Sequence, residues 1–160
     1  MDPLAHTFAL ARDIRTALGQ AVEVAERMGP AMRGLEADAL FEVATRRQHL
    51  NEGVARLTGE MATSLAAVAS ARNWQEVTVA DLRSLDALGT ADFECNLAAI
   101  RELAGRLREL DKQNQVRGGR TVAFLRGVVA GHELRPSAYD RRGAPTVTSG
   151  RPLSTGSRTA

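Results

Sequence analysis

Apolar residues recur at every third or fourth position over three long stretches of this chain. The first runs through Leu4, Phe8, Ala11, Ile14, Leu18, Val22, Ala25 and Met28. The second runs through Leu40, Val43, Arg47, Leu50, Val54, Leu57, Met61, Leu65 and Val68. The third runs through Phe93, Leu97, Ile100, Leu103, Leu107 and Leu110, then Asn114, then Val122, Leu125 and Val129. This spacing keeps one face of a helix apolar. No stretch alternates for the length of a strand; VTVA at 77–80 is too short. The spacing is near-heptad, so neighbouring helices pack close to parallel or antiparallel. The expected fold is all-α: an elongated antiparallel bundle of three long helices, a short connecting helix and a disordered C-terminal tail.

Local signals set the expected boundaries. Asp2 followed by Pro3 is an N-cap with proline in the first helical turn. Gly29-Pro30 is expected to break or kink the first helix, because proline lacks the amide donor and clashes with the preceding turn. Asp38 is a candidate cap for the second helix. Asn73 and Trp74 end that helix, and Trp74 is expected to plug a corner between helices. Thr78 and Asp81 form a short capping box ahead of Leu82, Leu85 and Leu88. Gly89-Thr90 restarts the chain. Gly118-Gly119 is expected to weaken or interrupt the last helix, since each glycine costs about 1 kcal/mol relative to alanine. The expected helices span about 3–28, 38–72 and 90–132, with a short one about 79–88. They make a body of residues 1–134, followed by a flexible tail, 135–160.

That tail is rich in Arg, Pro, Gly, Ser and Thr, the composition of a segment that cannot bury a core by itself. Its five arginines and one aspartate give it a net charge of +4, and the whole chain carries +2, so the body is mildly acidic. A body of that sign is not a nucleic-acid footprint, which would be a basic face on the fold. One cysteine, Cys95, excludes an intramolecular disulfide. No apolar run approaches the roughly 18 residues of a membrane span, and the first residues have no signal-peptide pattern. A soluble, cytoplasmic protein is expected.

Catalytic chemistry is sparse. His6, His49 and His132 fall in separate segments and none has a metal-spaced partner. Cys95 has no basic neighbour one turn away to lower its pKa, and a buried or inert thiol is expected. Arg117-Gly-Gly-Arg120 follows no strand and makes no phosphate loop. Arg47 in the second seam reads as a side chain that lays its stem on the seam and its head in water. No enzyme, metal or cofactor is expected. What stands out is TVAFLRGVV (121–129), apolar around most of its circumference, which is more than a bundle face requires. The adjoining tail carries Tyr139, the only tyrosine in the chain. Tyrosine in such a segment is either an anchor for a partner or a residue that folds back on the bundle.

Three stretches resemble the flagellar export chaperones of the FlgN type. LEADALFEVATRRQHLNEGVARL (35–57) resembles the family's second helix and LRELDKQNQVRGGRTVAFLRGVV (107–129) its third. AYDRRG (138–143) resembles the Tyr-Asp-x-x-Gly segment that follows the last helix in that family. The resemblance implies a cytoplasmic chaperone that is not an enzyme. It would hold hook–filament junction proteins unassembled and bring them to the flagellar type III export gate. By the same resemblance Val122, Phe124, Leu125, Val128 and Val129 bind the client. Tyr139, with Asp140 beside it, docks at the gate's membrane component, and the export ATPase complex is a further partner. The competing expectations are a chaperone of another type III secretion system, a structural coiled-coil subunit, and a nucleic-acid binder working through the arginine tail.

Overall fold

The computed structural model describes residues 2–133, with side chains through Val129. Four helices follow one another: α1 (Pro3–Gly34), α2 (Ala37–Arg72), α3 (Val79–Leu85) and α4 (Ala87–Glu133). Among the described residues the fold is all-helical. The chain divides into a first compact unit, Met1–Thr121, and a second that begins at Val122, within α4.

Within the first unit α1 is the inner helix: it buries twelve residues, whereas α2 buries only Ser64 and Val68. Ile14, Leu18, Ala21, Val22 and Ala25 of α1 meet Leu107 of α4 in one core cluster. Leu50, Val54, Leu57 and Met61 of α2 and Ile100, Leu103 and Leu110 of α4 close over it. A second cluster joins Phe8, Ala11, Val68, Leu82 and Phe93. Trp74 packs against that cluster at the α2–α3 corner, in the structural role its position suggests. Each large apolar side chain removed from water in these clusters stabilises the fold by about 1.5–3 kcal/mol.

Polar contacts record the helix directions. The Thr7 and Ser64 hydroxyls lie 2.9 Å apart and both reach the Pro3 carbonyl, so the start of α1 meets the end of α2. α1 and α4 run parallel: Arg12 pairs with Asp92 and Arg15 donates to Asn96. Farther along the same two helices, Arg106 pairs with Glu26. Arg47 of α2 reaches Asp111 of α4 at 2.7 Å, and its side chain is only 12% exposed. Arg47 is thus a bridge between helices rather than a head held in water. The exposed pairs contribute at most about 1 kcal/mol each, so they mark register more than they hold the bundle.

Several local expectations are corrected. α1 does not break at Gly29-Pro30 but runs on to Gly34. Pro30 lies one turn from the helix end, where it removes a single donor, and the neighbouring Gly29 and Ala31 are buried. The turn comes at Leu35, which is left-handed (φ 54°), with its amide donated to the Ala31 carbonyl. α2 is capped at Glu36 without a side-chain hydrogen bond, and Asp38 lies in its first turn instead of capping it. α3 ends at Leu85 rather than Leu88. Gly89-Thr90 lies inside the first turn of α4, because Asp86 makes the break and its Oδ1 accepts from the Gly89 amide at 2.9 Å. Gly118 and Gly119 do not interrupt α4, which is continuous from Ala87 to Glu133. Gly118 faces Met32, and a Cβ added there would meet the Met32 Cε at 3.6 Å, an ordinary contact distance.

The capping box at Thr78 is present in full. The Thr78 hydroxyl accepts from the Asp81 amide at 3.2 Å, and an Asp81 carboxylate oxygen accepts from the Thr78 amide at 2.9 Å. The Thr78 hydroxyl and amide together hold the Asp81 carboxyl below its ordinary range. Its folded-state pKa is depressed, so the cap's contribution is present above the ordinary carboxylate pKa and is lost as pH falls through the lowered one. Thr78→Ala is expected to lower stability by about 1 kcal/mol, the usual worth of a threonine N-cap. Chemical denaturation near neutral pH measures it, and the difference from the parent should narrow in acid.

Candidate functional site

The last part of α4 presents its apolar side chains to solvent. Val122, Phe124, Leu125, Val128 and Val129 are between 44% and 63% exposed, whereas Leu107, earlier on the same helix, is 8% exposed. The contrast follows from the sequence. From Phe93 to Leu110 the large apolar residues of α4 keep to one seam, which packs into the two core clusters. From Val122 on they cover an arc of about 160°, wider than a seam but less than the greater part of the circumference expected from the sequence. The strip can therefore offer a helical partner an apolar face of the kind that helix-in-groove recognition uses. It has no acid, base or nucleophile arranged for catalysis. The five residues expected to bind a client thus lie together on one helix. Tyr139 and Asp140 lie outside the described residues.

Upstream, α4 is tied to α1 by a polar contact that the sequence shows only as an interruption. Asn114 is buried, and its Nδ2 donates to the Ala25 carbonyl at 2.7 Å. Its Oδ1 accepts from Arg117 at 3.3 Å. A side chain at Gly29 would meet the Arg117 guanidinium, with Nη1 2.8 Å from the added carbon. Glycine at this position lets the long Arg117 side chain lie close against α1. A one-turn slip of α4 against α1 would strand the Asn114 amide in apolar surroundings, at a cost of about 1–3 kcal/mol. The contact fixes the register of α4 against α1 within the first unit.

Two other surface features escape a seam-based reading. Phe41 is 76% exposed and lines a shallow groove on α2 with Thr45, His49 and Leu50. It falls beside the seam residues Leu40 and Val43, and its only sequence signal is an aromatic off the stripe. A second groove runs between the start of α1 and the later half of α2, past Pro3, His6, Gly59 and Thr63. Cys95 is exposed, so of the expected buried or inert thiol the buried alternative falls away. It sits on the outer side of α4 beside Phe93 and Asn96, which face inward. Among the described residues no group of three or more His, Cys, Asp or Glu could hold a metal ion. No helix among them is long and apolar enough to cross a membrane.

Comparison with protein-family models, with curated proteins and with solved structures finds no match to this chain.

Proposed function

We propose that this chain is a cytoplasmic export chaperone of the FlgN type, which holds unassembled hook–filament junction proteins and delivers them to the flagellar type III export gate. The observation that carries the reading is the exposed strip Val122–Val129 at the end of a long, otherwise amphipathic helix. The sequence likeness at 35–57, 107–129 and 138–143 supports it. A subunit that must polymerise later exposes apolar helical faces while it waits. A chaperone that covers such a face prevents premature assembly, and its affinity stays moderate because the client has to leave. Tyr139 and Asp140 then dock the loaded chaperone at the membrane component of the gate, with the export ATPase complex as a further contact.

Co-purification of junction proteins with the full chain, and with a chain ending at Gly119, tests the reading. The shortened chain keeps both core clusters. The full chain is expected to retain a junction protein and the shortened one to lose it. If the full chain retains none, the reading fails, and a helical scaffold subunit or a chaperone of another type III secretion system takes its place.

A further inference from the structure

Charge along the chain is divided at one point. Residues 112–160 hold nine of the 21 Lys and Arg but two of the 19 Asp and Glu, a net +7. Residues 1–111 are therefore net −5 within a total of +2. From Lys112 to His132 the sequence has no acidic residue, while Lys112, Arg117, Arg120 and Arg126 are all cationic. The division falls on α4, shortly before its apolar strip.

Helical geometry places two of those cations on the rims of the strip. At about 100° per residue, Phe124, Val128, Leu125, Val129 and Val122 follow one another around an arc of about 160°. Arg120 falls about 40° outside the Phe124 edge, and Arg126 about 40° outside the Val122 edge. Ala123 and Gly127 take the opposite side. The pattern is an apolar face with a basic residue along each border.

We propose that this face selects an amphipathic helix whose own apolar stripe is bordered by Asp or Glu, and that Arg120 and Arg126 are the selecting residues. The proposal rests on the docking role given above to the strip and names the chemistry of its occupant. Complementary rim charges steer encounter and fix register, while like charges set against one another reject wrong partners. A second copy of this chain is rejected on that ground, because pairing two such helix ends would set Arg120 and Arg126 against the same arginines. A membrane surface is disfavoured for a different reason. Interfacial helices carry a cation-rich polar face, and here the side opposite the strip holds alanine and glycine.

The test titrates the full chain with two synthetic helical peptides that share one Leu/Val face, one bordered by Glu and the other by Lys. The Glu-bordered peptide is expected to bind about tenfold more tightly at low salt, and the gap should shrink as salt screens the rims. Arg120→Glu with Arg126→Glu should reverse the preference while circular dichroism stays unchanged. Equal affinity for both peptides, lost when Phe124, Leu125 and Val129 become alanine, would overturn the selection and leave the docking face standing. Failure to bind either peptide by a chain that still retains a junction protein would also overturn it, again without touching the function proposed above. Two further results would do the same. One is a dimer in sedimentation that Leu125→Glu dissolves, which makes a second copy the occupant. The other is co-sedimentation with phosphatidylglycerol–phosphatidylcholine vesicles in preference to the Glu-bordered peptide.

Discussion

Replacing Phe124, Leu125 and Val129 together with alanine is expected to abolish capture of a junction protein while leaving helix content and thermal midpoint unchanged. The two halves of this expectation come from the same exposure. All three side chains are 44% or more exposed, so truncating them removes little that the folded chain had buried. Surface substitutions of this kind usually change stability by less than about 0.5 kcal/mol. Alanine is also a better helix former than Phe or Val, which favours α4 slightly. A partner helix laid on the strip would bury what the isolated chain exposes. Each anchor is then worth about 1–3 kcal/mol, and removing three costs at least about 3 kcal/mol, over a hundredfold in affinity. Titration calorimetry with a purified junction protein reads the loss, and circular dichroism reads the helix. Full binding by the triple variant would remove the strip from consideration as the client site.

The strip is legible in sequence because it breaks a pattern. Five apolar residues within Val122–Val129 are too many for one seam, and no partner inside the chain is needed to notice that. The three long helices are legible for the complementary reason: their seams repeat over many turns, and the sum outweighs any single position. Individual breakers mislead for the same cause. Pro30 and Gly118-Gly119 each carry a local penalty, yet each lies in a helix of 32 or 47 residues whose long packed face leads up to it. The Thr78–Asp81 box is read correctly because it depends only on residues three apart.

What sequence does not disclose is long-range register. That Asn114 meets Ala25, that Thr7 meets Ser64 and that Arg47 meets Asp111 depends on how far each helix travels before the chain turns. Those distances shift when a turn moves from Pro30 to Leu35 or a start from Thr90 to Ala87. Asn114 reads as an interruption of a leucine seam, although it is a satisfied buried donor. Phe41 is missed because an aromatic beside the stripe looks like any other surface residue. Its exposure is a property of what packs nearby, not of its spacing.

Phe93→Ala is expected to produce the opposite phenotype to the strip variant: a large loss of stability with the docking residues untouched. Phe93 is 4% exposed, and its ring lies 5.3 Å from that of Phe8, tilted by 39°. Val68 of α2 and Leu82 of α3 complete the cluster, so one side chain ties together all four helices of the first unit. Truncation loses the transfer energy of the ring and leaves a cavity that helices fixed by the Thr7–Ser64 and Arg83–Glu94 contacts cannot fully close. Removing a buried phenylalanine costs about 3–5 kcal/mol. That is a large share of the roughly 5–15 kcal/mol that holds a domain of this size. The midpoint of thermal unfolding should fall by on the order of 10–25 °C. A fall of only a few degrees would mean that the cluster around Phe8 and Phe93 is loosely packed. Below its new midpoint the Phe93→Ala chain should still capture a junction protein with near-normal affinity, because Val122–Val129 contribute nothing to that cluster. If capture were lost while α4 remained helical, the docking surface would have to extend onto the bundle, and the strip alone would not be the site.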